Sequence, residues 1–248
     1  PIYIPAGRAK EYGDYAINIY TGCPHRCYYC FAPSVLHKDR EQFHSIVEPR
    51  KGIVEAVKRQ LEAEQIAGKL IHLCFTCDPY PRGYDDTPTR DIIKAIKESG
   101  NHVQILTKNP VAAKRDFDLL DENDWFGVTI TCNTDKAKTH EPGAENPFVR
   151  LIVLADANVA GIQTWLSCEP VLDEDAIFKL IAKYNDCFDK IKIGKLNYWP
   201  SEINWKEFGI EAERLCKEHG VDCYIKEDLR REMVKEPCAG MAGHGSIV

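Results

Sequence analysis

Short apolar runs rich in Ile, Val, Leu, Thr and aromatic residues recur along the chain, separated by longer amphipathic stretches. This composition over four to eight residues is typical of β-strands. The runs cover residues 15–20, 70–75, 102–107, 126–131, 162–167, 190–195 and 222–226. The pattern therefore predicts seven strands.

The stretches between these runs have the apolar spacing of helices, as at Ile53, Val57 and Leu61. Gly100 is a typical residue just beyond a helix C-terminus, and Asn204 is a typical N-cap. Helices are predicted over residues 52–67, 89–100, 110–123, 146–161, 173–186 and 204–220.

Strands that alternate with helices predict βαβ units, a parallel sheet and right-handed crossovers. The fold class is α/β, and the count favours a partial (β/α) barrel of about six or seven parallel strands. In such folds the chemistry lies at the carboxyl ends of the strands. We predict one domain over residues 1–235 and a flexible tail over 236–248, which is rich in Gly and Ala.

The composition, 44% hydrophobic and 28% charged, is ordinary for a globular protein. No apolar run of about 18 residues predicts a membrane span, and the first 20 residues lack the apolar centre of a secretory signal. These features predict a cytoplasmic protein with no membrane partner. The net charge of −6 argues against a large nucleic-acid footprint. A local basic patch stays open at Arg8, Lys10, Arg26, Lys38 and Arg40.

Three of the eleven cysteines, Cys23, Cys27 and Cys30, lie within eight residues directly after the first predicted strand. In a chain of 248 residues without a visible signal, such clustering indicates metal binding or catalysis rather than disulfides. Three thiolates leave one position open on a metal or cluster, whereas four would close it. A zinc site would need a fourth ligand, for which His25 and His37 are candidates.

The spacing Cys23-x3-Cys27-x2-Cys30, with Tyr29 before the last cysteine, resembles the signature of the radical S-adenosylmethionine (radical SAM) superfamily. The resemblance implies a radical SAM type of partial barrel and a [4Fe–4S] cluster held by the three cysteines. It implies reductive cleavage of S-adenosylmethionine to a 5′-deoxyadenosyl radical that abstracts hydrogen. A reducing electron donor of the flavodoxin or ferredoxin type is the partner that such chemistry implies.

Further stretches resemble the spore photoproduct lyase-like branch of that superfamily: 7–33, 76–80, 103–110, 128–131 and 141–151. This resemblance implies lyase-type chemistry on a nucleic-acid base, with DNA or a nucleobase as substrate. The chain departs from the repair enzyme in length and has Phe31 where that enzyme has tyrosine. Radical modification of a peptide or small metabolite stays open, as does a non-enzymatic, metal-bearing nucleic-acid-binding module.

The resemblance, together with the expectation that the chemistry lies at the carboxyl ends of the strands, suggests which residues bind S-adenosylmethionine. Thr76 and Asp78 are candidates for its methionine polar groups, and Lys108 for its carboxylate. Asp78 precedes a proline and has a turn role as its alternative. Tyr29 is expected to lie against the adenine, or simply to pack within the loop that carries the three cysteines.

Two later strand ends nominate further polar residues. Asn133 can bind ribose or methionine atoms, with a turn-forming role as the alternative. Glu169 can accept from ribose hydroxyls or contact the substrate, with a plain salt bridge as the alternative. Lys195 and Asn197 are expected to face the substrate.

Three further features concern side chains around the same strand ends. Glu141 and Arg150 are expected to pair and order a loop over the site, or to cap a helix. Cys77 or Cys74 is the candidate catalytic thiol that returns a hydrogen atom, although neither aligns with the thiol of the repair enzyme without a shift. A separate hypothesis places Cys77, Cys132 and Cys168 at one mouth as ligands of a second cluster, and burial as small apolar side chains is its alternative.

Overall fold

A computed structural model describes residues 1–234 as one eight-stranded sheet in sequence order, flanked by helices. The strands are β1 (Ile2–Tyr3), β2 (Tyr15–Ile17), β3 (Leu70–Leu73), β4 (His102–Thr107), β5 (Trp125–Thr129), β6 (Gln163–Cys168), β7 (Lys190–Ile193) and β8 (Asp222–Ile225). The helices are α1 (Ala32–Val35), α2 (Arg40–Ser45), α3 (Ile53–Glu64), α4 (Thr87–Glu98), α5 (Pro110–Ala113), α6 (Thr134–His140), α7 (Pro147–Val159), α8 (Glu174–Lys183), α9 (Trp205–Glu218) and α10 (Glu227–Met233).

The sheet is a partial barrel, as the strand count predicted. Strands β2 to β8 are all parallel, and β1 and β8 are the two unpaired edges. The short β1 runs antiparallel to β2, with Ile2 opposite Ile17, and was not anticipated. Two residues are too few to show a period-2 pattern, which explains why β1 was missed.

Alternation along each strand separates two faces of the sheet. On β7, Ile191 and Ile193 are fully buried in the apolar core, whereas Lys192 projects to the opposite, inner face. Val57 and Leu61 on α3 belong to the same apolar core as the outward residues of the strands. The core therefore lies between the sheet and the helices, and polar groups are directed into the barrel.

Two predicted bounds differ from the structure. The predicted helix 110–123 is the short α5 followed by a 3-10 helix over Lys114–Leu119. Buried Asp116 is held there by Arg90 at 2.7 Å and by the Tyr80 hydroxyl at 3.0 Å, contacts that a sequence pattern does not reveal. The first predicted strand, 15–20, corresponds to β2. It ends at Ile17 because the chain then turns into the loop that carries Cys23.

The predicted N-cap of α9 is confirmed. The Asn204 side chain caps α9 by accepting from the Glu207 amide at 3.3 Å. Within the described residues, no helix combines the length and apolarity needed to cross a membrane. The single domain over 1–235 stays a prediction, and the tail 236–248 lies outside the described residues.

Candidate functional site

The three cysteines of the motif lie on one loop between β2 and α1, residues 18–31, which is called the cluster loop. Arg40 of α2 fixes its shape. The Arg40 guanidinium donates to three backbone oxygens: Cys27 at 2.5 Å, Tyr28 at 2.7 Å and Cys30 at 3.1 Å. Cys27 is buried, and Cys23 and Cys30 are half-buried. Charge-assisted bonds from a planar donor hold a loop more rigidly than neutral ones. The three thiols therefore lie on a prearranged backbone.

Close backbone packing holds the same loop from two sides. The His44 ring contacts the Cys23 carbonyl oxygen through Nδ1 at 2.8 Å. A Cβ added to Gly143 would lie 2.2 Å from the Pro24 oxygen, and one added to Gly22 would lie 2.3 Å from another backbone oxygen. Both contacts are shorter than any side chain tolerates, so glycine is required for the loop to pack here.

The spacing of the three thiols bears on the kind of metal group that they can hold. No disulfide joins any of the ten described cysteines. Among residues 1–234, only His102, Asp121 and Asp124 bring three potential ligand atoms within 4.8 Å of one another. One tetrahedral zinc ion would hold its sulfur ligands about 3.8 Å apart. The three loop thiols are not all within 4.8 Å of one another, so a single ion would require them to draw closer.

Burial controls the protonation of these thiols. It raises the pKa of Cys27 to about 12 and the pKa of Cys23 well above its ordinary value. A bound cationic group would offset this cost by stabilising the thiolates, and its binding would release protons.

Tyr29, the aromatic residue of the motif, is tied to a buried ion pair. Its hydroxyl donates to Glu141 Oε1, which also accepts from the Thr131 hydroxyl at 3.0 Å. Arg150 Nη2 lies 2.6 Å from Glu141 Oε2, and both side chains are fully buried. The expected pairing of Glu141 with Arg150 is confirmed, and it fixes the position of Tyr29.

Lys108 follows β4 and lies beside the same group. Its ammonium is 5.6 Å from the centroid of the Tyr29 ring. Burial lowers the pKa of Lys108, but the nearby Cys27 and Glu141 outweigh burial and leave it above the ordinary value. No ion pair within 4.0 Å engages this ammonium among residues 1–234. Lys108 is thus a cation at the cluster loop with unused donors.

Asp78 has its oxygens engaged by the fold. Oδ1 accepts from the Tyr80 amide at 2.9 Å and the Thr107 hydroxyl at 2.7 Å, and Oδ2 accepts from the Lys108 amide at 2.8 Å. His25 Nδ1 lies 3.4 Å from Oδ2. Burial lowers the pKa of His25 to about 4, so the ring is neutral near pH 7. Asp78 links the cluster loop to the backbone that presents Lys108.

Thr76 offers an unused hydroxyl. Its amide donates to Asn18 Oδ1 at 2.9 Å, as does the Phe75 amide, so the turn after β3 is fixed. Its Oγ1 is buried without a hydrogen-bond partner among the described residues. A buried hydroxyl in this state favours a bound polar group, because leaving it unpaired costs free energy.

The sequence of residues 17–166 matches the radical SAM superfamily. The matched segment is more than half of the chain and contains the three loop cysteines. This chain belongs to the radical SAM superfamily. It is therefore an enzyme, as predicted, and its family implies S-adenosylmethionine and an iron–sulfur cluster.

Two solved structures share the fold. Spore photoproduct lyase complexed with dinucleoside spore photoproduct superimposes with a TM-score of 0.65 and 15% identity, over 90% of this chain and 79% of that one. Streptococcus suis SuiB bound to S-adenosylmethionine gives 0.61 and 10% identity, over 85% and 46%. The predicted likeness to spore photoproduct lyase is confirmed at the level of the fold.

Sequence relatives match a shorter region. An uncharacterized protein of Mycobacterium tuberculosis is 28% identical over 173 residues, which are 64% of this chain and 50% of that protein. An uncharacterized protein of Acidianus two-tailed virus is 29% identical over 188 residues, 69% and 60% respectively. The chain spans about half the length of the first of these relatives.

Asn133 and Glu169 were predicted to bind ribose, methionine or substrate groups. In the structure, both side chains already contact other residues of the chain. Asn133 caps α6 through its Oδ1 and donates from Nδ2 to Asp173 at 2.7 Å. Glu169 accepts from the Tyr12 hydroxyl and lies 3.3 Å from the Lys226 ammonium. Their polar atoms are thus partly committed already.

Lys195 and Asn197 also have partners. The Lys195 ammonium lies 2.6 Å from Glu232, and the Asn197 amide donates to the Lys195 carbonyl at 3.2 Å. Both residues lie on the loop after β7, at the carboxyl end of the sheet.

The two candidate catalytic thiols lie in the turn after β3, where Cys74 belongs to the apolar core and Cys77 packs against it. The Tyr20 amide donates to Cys77 Sγ at 3.4 Å, and Cys74 adopts a left-handed φ of 68°. Burial raises the pKa of Cys77, but hydrogen bonds from Cys74 and from the amides of Tyr20 and Ile19 outweigh it and lower the pKa. Cys77 is thus the more acidic thiol of the pair.

The expectation that Cys77, Cys132 and Cys168 share one mouth is wrong for Cys168. Its side chain lies in the apolar core, and its pKa is raised by burial and by nearby Cys216 of α9. Alternation along β6 turns Cys168 toward the helices and Ser167 into the barrel. Cys168 is thus a buried apolar side chain, the alternative reading of these thiols.

The polar interior of the barrel was not predicted from the sequence. His72 Nδ1 on β3 lies 2.9 Å from Gln104 Oε1 on β4, and both side chains are buried. Trp165 of β6 and Lys192 of β7 share this interior, 4.9 Å from ammonium to ring centroid. The signal was present in the alternation of Lys and Ile over residues 190–193, which places lysines on one face.

Proposed function

We propose that Cys23, Cys27 and Cys30 bind a [4Fe–4S] cluster at which the enzyme reductively cleaves S-adenosylmethionine. The observation that carries the proposal is the rigid, three-thiol loop at the carboxyl end of the first parallel strand, inside the radical SAM match. When bound, the cluster supplies the electron that converts the sulfonium into methionine and a 5′-deoxyadenosyl radical for hydrogen abstraction. A reductant of the flavodoxin or ferredoxin type would deliver that electron.

The chain's own groups bind and orient the cosubstrate. Lys108, a cation with unused donors, pairs with its carboxylate, and the orphaned Thr76 hydroxyl takes a second polar atom. Tyr29 lies against the adenine, held by Glu141. Asp78 positions Lys108 by accepting a hydrogen bond from its backbone amide.

Two other nominated residues keep a smaller place in the proposal. Asn133 and Glu169 offer a ribose or the substrate only those lone pairs that the fold leaves unused. The thiol of Cys77, which lies in the turn after β3 beside Cys74, is the proposed hydrogen-atom donor in its protonated form.

For the substrate, we propose a nucleic-acid base. Tyr198 and Trp199, in the loop after β7, are 83% and 45% exposed. The Trp199 ring lies 5.5 Å from that of Tyr28 in the cluster loop, and the Arg8 guanidinium lies 5.2 Å above the Tyr198 ring. Exposed rings beside a guanidinium form a stacking surface for bases. A ring in a peptide or a small metabolite is the alternative substrate.

The cluster is tested by its composition. Chain reconstituted anaerobically with iron and sulfide is expected to hold about four irons and four sulfides. One zinc per chain that excludes iron would contradict the proposal. About eight irons would add a second cluster, whose ligands could not include the core residue Cys168.

The role of Lys108 is tested by binding. Lys108→Met is expected to weaken S-adenosylmethionine binding about tenfold or more, because a charge-assisted contact is lost. The matched control is Lys69→Met, since exposed Lys69 precedes β3 at the opposite end of the sheet. Equilibrium binding to the reconstituted chain measures both, and equal effects of the two changes would refute the assignment.

The base-stacking surface is tested with a fluorescent single-stranded oligonucleotide at low salt. Trp199→Ala is expected to weaken binding about five-fold or more, the loss of one stacked base. Ile210→Ala, on a half-exposed position of α9, is the control and should change little. Undetectable oligonucleotide binding by the unmodified chain would favour the peptide or metabolite alternative.

A further inference from the structure

A nearly buried lysine lies inside the barrel within a box of aromatic rings. Lys192 on β7 is 8% exposed. Its ammonium is 4.6 Å from the ring centroid of Tyr12, 4.9 Å from that of Trp165 and 5.9 Å from that of Tyr224. Its one hydrogen bond among the described residues goes to the Glu11 carbonyl oxygen, at 3.2 Å.

The charge of Lys192 is poorly compensated. Within residues 1–234, no carboxylate lies at ion-pair distance from its ammonium. Burial, with nearby Lys226 and Lys190, lowers the pKa of Lys192 to about 8. A buried cation without a carboxylate is costly, and an anion placed beside it would offset that cost.

Neighbouring groups in the barrel interior are also poorly hydrogen-bonded. The Nε2 atom of His72 and the hydroxyl of Ser167 are buried without a well-aligned hydrogen bond among the described residues, although the Cys74 backbone lies near His72 and the Tyr12 side chain lies near Ser167. Ser167 is the strand neighbour of Lys192 in the β6–β7 register, and the His72 ring lies 5.4 Å from that of Tyr12. These weakly bonded atoms and Lys192 face one region, which favours a ligand position over packed core.

An internal carboxylate already occupies the edge of this region. Glu11 belongs to an N-terminal strap, residues 7–12, that links β1 to the β8 side of the barrel. Its Oε2 accepts from the Tyr224 hydroxyl at 2.9 Å and the Glu227 amide at 3.2 Å, and Oε1 lies 3.5 Å from Lys226. The site is therefore already built to hold a carboxylate.

The strap is anchored at Tyr12, whose ring packs against those of His72, Phe75 and Trp165, and residues 7–11 are held mainly by polar contacts. Its 3-10 helix contributes no buried residue. Arg8 pairs with Asp228, and its carbonyl oxygen accepts from Lys226 at 3.4 Å. Another anion can replace the polar contacts of residues 7–11 more readily than it could separate the packed ring of Tyr12.

We propose that Lys192, Lys226 and the Tyr224 hydroxyl form a subsite for a carboxylate or phosphate group of the substrate, and that Glu11 is its internal occupant. An incoming anion takes the place of the Glu11 carboxylate at Lys226 and Tyr224 and releases residues 7–11, whose Glu11 carbonyl holds Lys192, so that the Lys192 ammonium can turn to the anion while Tyr12 stays packed. The inference rests on the proposed function only in assigning the anion to the substrate.

The test is binding of inorganic phosphate and of acetate, in separate arms, to the reconstituted full chain without reductant. Lys192→Met is expected to weaken binding about tenfold or more. Glu11→Gln is expected to tighten it about threefold, because the internal competitor is lost. The arm with the higher affinity identifies the anion class. Lys190→Met is the matched control, two residues away on the same strand face and paired with Asp222.

Opposite signs for the two variants are the distinguishing result. If Glu11→Gln weakens binding or leaves it unchanged, Glu11 is only a structural contact and the proposal fails. If Lys192→Met and Lys190→Met have the same effect, the site is not at Lys192. Should Lys192→Met not fold, Glu11→Gln and Lys192→Arg, which keeps the charge and should keep binding, carry the test.

Strap displacement and pH give further readouts. Saturating phosphate should accelerate tryptic cleavage after Lys10 in the strap, and unchanged cleavage would contradict displacement. Acetate affinity should fall as pH rises through about 8, where Lys192 loses its proton. The charged and titratable groups that face Lys192 are Lys190, Lys226, Glu11, Glu169, Tyr12, Tyr224 and neutral His72.

The two proposals fail separately. Anion binding needs no turnover, so it can hold in a chain that does not cleave S-adenosylmethionine. Conversely, a chain that cleaves S-adenosylmethionine but binds neither phosphate nor acetate would refute the proposed subsite and leave the proposed radical chemistry intact.

Discussion

At the scale of single residues, the site depends on contacts between positions far apart in sequence. The spacing of the cysteines and the tyrosine between them could be interpreted from sequence, because ligands of one cluster lie on one short loop. Arg40 and Glu141 could not be assigned in the same way. Their partners are backbone oxygens of the loop and the Tyr29 hydroxyl, and only the folded chain brings them together.

The buried pair of Glu141 and Arg150 is predicted to be essential for stability. Arg150→Met leaves a carboxylate buried without a counter-charge and should lower the free energy of unfolding by about 3–5 kcal/mol. Lys138→Met, which breaks an exposed pair with Asp135, should cost less than about 1 kcal/mol. Denaturant unfolding under anaerobic conditions measures both, and similar losses would contradict the account.

His72 is predicted to make stability depend on pH. Burial lowers its pKa to about 3 in the folded chain, from about 6.5 when unfolded. The unfolded chain therefore binds a proton first as pH falls below 6.5, and stability falls by at most about 1.4 kcal/mol per pH unit from this group. His72→Gln should flatten the stability profile between pH 6.5 and 5, and identical profiles would refute neutral burial of this ring.

At the scale of elements, alternation of apolar runs predicted the parallel strands and the helices between them. It could not predict the end of the first strand at Ile17, because Ile19 and Tyr20 are as buried as strand residues although they belong to the loop. Nor could it predict the 3-10 helix within 110–123. The position of the cluster loop depends on such irregular segments.

Glycine at position 143 is predicted to be a requirement of the loop rather than of the fold. Gly143→Ala should lower the iron bound per chain at least about twofold, because the new Cβ would force the Pro24 backbone away. Gly13→Ala, whose Cβ would meet its nearest atom at an ordinary 3.9 Å, is the control. Full iron loading in Gly143→Ala would show that the loop tolerates the shift.

At the scale of the whole molecule, the parallel order of β2 to β8 follows from alternation and right-handed connections, and it was predictable. The contents of the barrel were not. Lys192, His72 and the N-terminal strap come from opposite ends of the sheet, and only closure of the partial barrel brings them together. Sequence shows that lysine alternates with isoleucine on β7, but not what the lysine meets.

The central claim is that the loop thiols support reductive cleavage of S-adenosylmethionine, and its most direct test is release of 5′-deoxyadenosine. Reconstituted chain would be incubated anaerobically with S-adenosylmethionine and dithionite, beside Cys27→Ala and Cys187→Ala. Cys187 is a half-buried cysteine in the 3-10 helix Asn185–Cys187, remote in sequence from the motif. The account predicts deoxyadenosine from the unmodified chain and from Cys187→Ala, and none from Cys27→Ala. Absence of deoxyadenosine from an iron-loaded, unmodified chain, or equal amounts from all three, would contradict it.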